Sequence, residues 1–157
     1  MANQNLVSAV ISPELKTSIM AKLNEVKNDL DFVITLLPEE KNDYLKVGNV
    51  MPFLDKAYNA ASTHPEILPS IFDKAEYAKD YQLTKDIVPI LNLVSEIKTS
   101  LEDTLYAVGS DTMSESLEVY SAVQQNKDKV PGMEVIAAEL KEFFKRSKRK
   151  TPAEAHS

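Results

Sequence analysis

The sequence predicts an all-α fold, a single-domain helical bundle of four to five main helices over residues 1–145. Only three glycines occur in 157 residues, and each stands between segments whose apolar residues recur at helical spacing. No segment shows the apolar–polar alternation that is typical of a half-buried strand. A hydrophobic fraction of 43% is sufficient for the core of one domain of this length.

The first helix is predicted to begin at Ser12-Pro13, because serine is a favourable N-cap and proline is tolerated at the first helical position. Pro38 should end it, since the residue before a proline is disfavoured in helical geometry. Apolar residues three and four apart form one stripe between these points: Leu15, Ile19, Leu23, Val26, Leu30, Val33 and Leu37. Residues 39–45 are expected to form a short helical turn.

A second helix is predicted from Val50 to Thr63, after a chain break at Gly48-Asn49. Its apolar side includes Tyr58 and several alanines, which permit a close approach to a neighbouring helix. Two prolines, Pro65 and Pro69, make the following connection stiff.

The longest element is predicted from Asp73 to Val108, with Asp73 and Glu76 in a capping-box arrangement at its start. It is the expected centre of the bundle. Pro89 interrupts it by removing one backbone donor, and either a kink or a division into two helices is compatible with the sequence.

Gly109 should end this central helix, and Ser110-Asp111-Thr112 should supply the cap of the next one. That helix is lined by Met113, Leu117, Tyr120 and Val123. The joint Val130-Pro131-Gly132 then leads into a last helix that begins near Met133 and carries Phe143 and Phe144.

Several segments along the chain form a joint pattern: residues 6–9, 65–73, 101–105 and 130–132, together with Gly109-Ser110, Leu117 and Tyr120. This pattern resembles an uncharacterised bacterial family of short helical proteins. The resemblance spans about residues 5–145, and the basic tail lies outside it. It implies an all-helical fold and a bacterial origin, and because the family has no assigned activity it implies no site residues.

The sequence predicts no enzyme and no cofactor. The chain has no cysteine, and its two histidines, His64 and His156, form no Glu-x-x-His pair of the kind that holds di-iron sites in bundles. Gly109-Ser110-Asp111 lacks the further glycines and the lysine of a phosphate-binding loop. Acidic pairs such as Glu102-Asp103 and Glu115 with Glu118 are interpreted as solvated helix surface.

Charge is unevenly distributed along the chain. Residues 1–140 hold 22 acidic residues and 12 lysines, whereas residues 141–157 hold six basic and two acidic residues. Residues 146–157 are expected to be a basic, flexible tail. Five basic side chains are candidate contacts to an anion or a partner: Lys145, Arg146, Lys148, Arg149 and Lys150. The acidic body makes nucleic acid an unfavourable partner.

Three tyrosines on apolar stripes, Tyr77, Tyr81 and Tyr120, are either core residues or the lining of a groove. Three functions follow in order of preference. The first is a non-enzymatic protein that acts through protein–protein interaction or self-association. The second is a bundle that binds a small apolar or amphipathic ligand. The third is a tether to anionic membrane or nucleic acid through the basic tail. No transmembrane segment or basic N-terminal signal is found, so a cytoplasmic location is expected.

Overall fold

A computed structural model describes residues 6–146, of which 74% are helical and none forms a strand. Four α-helices and two short 3₁₀ turns follow in the order α1 Pro13–Asp29, turn Glu40–Asp43, α2 Met51–Thr63, turn Pro65–Ile67, α3 Lys74–Asn126 and α4 Met133–Arg146. The predicted all-α fold class is confirmed.

The chain divides into two compact units. The N-terminal unit comprises residues 9–98. The C-terminal unit comprises, among the described residues, 6–8 and 99–146. Helix α3 therefore contributes residues to both units, and each unit is described by itself below.

Helix α1 begins as predicted, with the Leu15 amide donating to the Ser12 hydroxyl at 3.1 Å. It ends at Asp29, so the predicted end before Pro38 is wrong. Asn28, Asp29 and Asp31 favour turns because their short polar side chains compete for backbone hydrogen bonds, and Leu30 leaves helical geometry at φ −92°, ψ 44°. The apolar spacing continues past this point without a helix.

Helix α2 agrees with the prediction to within one residue. The chain turns into it through Gly48, whose φ of +50° is a conformation that favours glycine. The predicted turn before it is present as Glu40–Asp43, where the Glu40 carboxylate accepts from the Leu37 amide at 2.7 Å.

Helix α3 begins as predicted, because Asp73 accepts from the Glu76 amide at 2.9 Å. It continues through Gly109 to Asn126, so the predicted end at Gly109 and the separate cap at residues 110–112 are wrong. A helical glycine costs only about 1 kcal/mol, which a 53-residue helix tolerates at one position. The Thr112 hydroxyl donates to the Val108 carbonyl at 2.9 Å and so serves the helix interior instead of a cap.

Pro89 lies inside α3, which does not divide there. The predicted interruption at Pro89 is therefore a missing backbone hydrogen-bond donor, and the helix continues through it.

The joint before α4 follows the prediction. Gly132 has a φ of +87°, and the Val130 amide donates to the Asn126 carbonyl at 3.0 Å.

Candidate interaction surfaces

An aromatic cluster joins α2 to α3 in the N-terminal unit. The rings of Tyr58 and Tyr81 stack with centroids 4.0 Å apart, and the Tyr77 ring lies 5.8 Å from Tyr58. Phe72 meets the Tyr77 ring edge-on at 5.4 Å. Tyr77 and Tyr81 share one face of α3 because they are four residues apart, and the short connection after α2 folds that face back onto Tyr58.

The cluster has a polar edge. The Tyr81 hydroxyl donates to an Asp55 carboxylate oxygen at 2.7 Å, and Lys85 Nζ donates to the same hydroxyl oxygen at 3.3 Å. Lys85 also lies 3.7 Å from Asp55 and 5.2 Å from the centre of the Tyr81 ring. The hydrogen bond to Asp55 raises the pKa of the Tyr81 phenol, and the hydrogen bond to Tyr81 raises the pKa of Lys85. At neutral pH the Tyr81 phenol is neutral, and it lies against the ion pair of Lys85 with Asp55.

An open groove of about 240 Å³ adjoins this cluster. Tyr58, Phe72 and Tyr77 form its aromatic side, and Pro65 and Leu68 complete its apolar lining. The Tyr81 hydroxyl, Asp55 and Lys85 are partners of one another across α2 and α3, so the arrangement chiefly ties the two helices together.

In the C-terminal unit, α4 folds back along the end of α3. The Tyr120 and Phe144 rings lie 5.1 Å apart, and Ala137 is buried. An apolar groove of about 340 Å³ opens at this contact and is here called the α3–α4 groove. Its lining residues are Met113, Ser116, Leu117, Tyr120, Leu140, Phe143 and Phe144.

A second surface depression, of about 570 Å³, lies along α3 and is here called the Gly109 groove; all of its described lining residues belong to α3. It meets the α3–α4 groove at Met113, which lines both. Gly109 leaves open space at its floor, since a Cβ at this position would meet no atom within 4 Å. Leu105 and Tyr106 project on its sides and are 71% and 84% exposed.

The α3 segment that carries these grooves is purely acidic. Residues 99–126 include five carboxylates and no lysine, arginine or histidine: Glu102, Asp103, Asp111, Glu115 and Glu118. Glu102 lines the Gly109 groove, and Asp103 follows it directly. Because five like charges lie on one helix segment, they give it a negative potential.

The predicted basic contacts lie at the other end of this unit. Lys145 is paired with Glu142 at 2.7 Å, one turn earlier on α4. Arg146 is the last residue of α4, and Lys148, Arg149 and Lys150 lie outside the described residues. The role of these side chains stays a prediction.

Two of the three predicted tyrosines, Tyr77 and Tyr81, belong to one cluster around Tyr58, whereas Tyr120 belongs to the C-terminal unit. Tyr77 lines the groove of the N-terminal unit, Tyr81 stacks on Tyr58, and Tyr120 lines the α3–α4 groove. Sequence reasoning missed Tyr58 and Phe143 as lining residues. The short joint before α4 was the available signal for the second, because it requires α4 to return along the Tyr120 face of α3.

Within residues 6–146, no three His, Asp or Glu side chains come together as a metal site. No helix in this described part of the chain has both the length and the apolar character to cross a membrane.

No family model matches the chain, and no match was found among curated proteins or solved structures. The resemblance to a bacterial family therefore stays a prediction.

Proposed function

We propose that this chain is a non-enzymatic protein that self-associates through the α3–α4 groove and the apolar residues around it. The observation that carries the proposal is that the α3–α4 groove brings Met113, Leu117, Phe143 and Phe144 together while each stays between 43% and 71% exposed, and contiguous apolar surface of this kind is typical of interaction sites. In the C-terminal unit the exposed set includes Leu101, Leu105, Tyr106, Met113, Leu117 and Phe143.

Little of this apolar surface is covered within the chain. Ala137, at 5% exposure, is the only buried hydrophobic residue among those described. Burial of apolar area supplies most of the free energy of folding and association, at about 25 cal/mol per Å². A second protein surface over Phe143 and Leu117 would recover the burial that the single chain does not achieve.

A second copy of the chain is a suitable partner on electrostatic grounds. Residues 99–126 carry only acids, whereas α4 carries three acids and three bases, and its last six residues hold all three bases against one acid, Glu142, which is paired with Lys145. A two-fold axis places the same patch of each copy against the other, so the end of α4 in one copy can approach the acidic α3 segment of its partner.

The test is sedimentation of the full chain over a range of concentrations, with Phe143→Asp as the disrupting variant. Phe143 is 71% exposed, so the change should leave the fold intact while burying a carboxylate in any interface. We expect Phe143→Asp to weaken association by about tenfold or more, which corresponds to about 1.4 kcal/mol.

Phe53→Asp is the matched control, because Phe53 is a similarly exposed phenylalanine at 67% on α2. It should leave the association constant unchanged. A chain that stays monomeric at every concentration, or equal weakening by both variants, would contradict the proposal.

The alternative function is binding of a small apolar or amphipathic ligand in the α3–α4 groove. Its volume of about 340 Å³ falls at the lower end of the range for ligand sites, and Tyr120 offers a hydroxyl beside aliphatic side chains. Titration with a medium-chain fatty acid should raise the melting temperature of the wild type, and Leu117→Asp should remove that rise. No rise in the wild type would reject this alternative.

A bacterial origin, membership of the helical family and a cytoplasmic location belong to the same proposal. The first two rest on the sequence resemblance. The location rests on the cysteine-free composition, which suits a reducing compartment. Cell fractionation with an antibody to the chain tests the location.

A further inference from the structure

We propose that helix α1 of a second copy of this chain fills the α3–α4 groove. The inference rests on the proposed self-association through that groove, and it names the segment of the partner that enters it. It assigns a function to a helix whose apolar side chains stay uncovered in the single chain.

Helix α1 is exposed along its whole length, from Pro13 to Asp29. Its apolar stripe is no exception, since each of its members is about half exposed: Leu15, Ile19, Leu23 and Val26. In proteins a helix of this length owes most of its stability to the packing of such a face. The described residues of the same chain do not supply that packing, so α1 presents a face for another molecule.

The stripe on α1 has the spacing that a groove between two helices accepts. Ile19, Leu23 and Val26 follow at intervals of four and three, the pattern by which an amphipathic helix lays its apolar side into a groove. From Met113 to Tyr120 the groove follows seven residues of α3, or about 11 Å of helix axis. Ile19 and Val26 are also seven residues apart, so the anchors of α1 match the groove in length.

The charges that border the stripe are mostly positive. At about 100° per residue, Lys16 and Lys27 lie on one side of the stripe and Lys22 on the other. Asp29 is the one acid at the border, and the other two acids of α1 lie on its opposite half. None of the three lysines forms an ion pair with another described residue. The face of α1 therefore fits an apolar surface with negative surroundings.

The unit that carries the groove is negative. Residues 99–146 hold nine acids and five bases. Glu139 lies four residues before Phe143 on the same side of α4, and it forms no ion pair with another described residue. Lysine side chains at the border of an apolar face extend beyond it, so they approach this negative surface when the stripe enters the groove. Two α1 helices facing each other would instead bring their lysine borders together.

A two-fold axis makes the contact twice. Helix α1 of the first copy enters the groove of the second, and α1 of the second enters the groove of the first. The paired contact buries twice the apolar area of one docked helix and closes the assembly as a dimer.

Sedimentation of the full chain with Leu23→Asp tests the contact. Leu23 is 48% exposed, so the change should leave the fold intact while placing a carboxylate in the groove of the partner. We expect association to weaken by about tenfold or more. Met20→Asp is the matched control, because Met20 is 52% exposed on the same helix but lies off the stripe, and it should have little effect.

Equal weakening by Leu23→Asp and Met20→Asp would overturn the inference. Weakening by Phe143→Asp without any effect of Leu23→Asp would reject the inference and leave the proposed function intact. A chain that stays monomeric at every concentration would reject both.

The double variant of Leu23→Asp and Phe143→Asp tests whether the two residues belong to one contact. We expect its loss of association to be smaller than the product of the two single losses, because the first change already disrupts the contact of the second. Losses that multiply would place the two residues in separate contacts and contradict the inference.

A spin label on α1 identifies the occupant directly. The chain has no cysteine, so Ser18→Cys, at an exposed position beside the stripe, attaches the label at one site. Spin-labelled chain without isotope is mixed with isotope-labelled chain without spin label, so that only contacts between two copies broaden a signal. We expect the amide signals of Leu117 and Phe143 to be lost. The same label at Asn59→Cys, an exposed position on α2, should leave both signals.

Retained signals with the Ser18→Cys label, or equal loss with both labels, would overturn the inference. Loss that occurs only when one chain carries both the spin label and the isotope would assign the groove to α1 of the same chain, which also overturns it.

Charge reversal measures the electrostatic part of the contact. Reversal of Lys16, Lys22 and Lys27 to glutamate should weaken association several-fold at low salt and much less at high salt. The matched control makes the same change in net charge outside α1, at Lys41, Lys46 and Lys56. Equal weakening by the two triple variants would contradict the predicted place of α1.

Discussion

The two units of this chain hold their helices together in different ways. In the N-terminal unit, stacked tyrosines join α2 to α3, and a hydrogen-bonded aspartate and lysine complete the contact. In the C-terminal unit, one aromatic pair joins α3 to α4, and an apolar groove stays open beside it. The first contact pairs the Tyr81 hydroxyl with Asp55 and Lys85, whereas the second leaves apolar surface open beside it.

This difference indicates which of the two surfaces is the better candidate for function. Ring stacking and hydrogen bonding at Tyr81 leave little for a partner to add, so that cluster is interpreted as structural. The apolar surface around Leu117 and Phe143 stays open to solvent, and only burial against another surface would stabilise it.

Among the changes that test this comparison, Tyr58→Ala is expected to have the largest effect on stability. Tyr58 contacts both Tyr77 and Tyr81, so its removal should cost about 2–3 kcal/mol, somewhat less than the 3–5 kcal/mol of a fully buried aromatic residue. Chemical denaturation measures the loss. Tyr44→Ala is the control, because Tyr44 is 63% exposed and should cost under about 0.5 kcal/mol. Equal losses would show that the cluster does not hold the N-terminal unit together.

Two glycines of the C-terminal unit should respond to alanine in opposite directions. Gly132→Ala should destabilise the protein by about 1–2 kcal/mol, because a φ of +87° is unfavourable for a residue with a Cβ. Gly109→Ala should stabilise it by about 0.5–1 kcal/mol, because Gly109 is helical and a Cβ there meets open space. Thermal unfolding of both variants measures the difference. Destabilisation by Gly109→Ala would mean that the helix ends at Gly109 after all.

The smallest effect is expected from alkaline pH, and it concerns only the tyrosine cluster. The pKa of Tyr81 is raised above 10.0 and that of Lys85 above 10.5, so both protonated forms are favoured in the folded state. Their contribution is complete below these values and is lost as the pH rises through the folded-state pKa values. The gap in melting temperature between wild type and Tyr81→Phe should therefore shrink from about pH 8 to about pH 11. A gap that grows would contradict this linkage, and Tyr44→Phe should show no gap at either pH.

Local chemistry allowed much of the fold to be predicted. Ser12 and Asp73 cap their helices as expected, since each side chain bonds an amide within one turn. The same local reasoning was wrong at Leu37 and at Gly109. Apolar spacing alone does not distinguish a helix from a turn-rich segment, and a single glycine, at a cost of about 1 kcal/mol, does not by itself end a helix.

Neighbouring residues and composition were enough to specify the helical class, the starts of α1 to α4, the joint at Gly132 and the contrast between an acidic body and a basic C-terminal end, although they also predicted a helix start at residues 110–112 that is wrong. The pairing of side chains from different helices was not accessible in this way. It took the folded chain to show that Tyr58 rather than Tyr120 meets Tyr77 and Tyr81, and that Tyr120 pairs with Phe144 beside an open groove. The physical reason is that such contacts depend on how each connecting segment returns one helix along another, whereas caps and joints depend on residues within one turn.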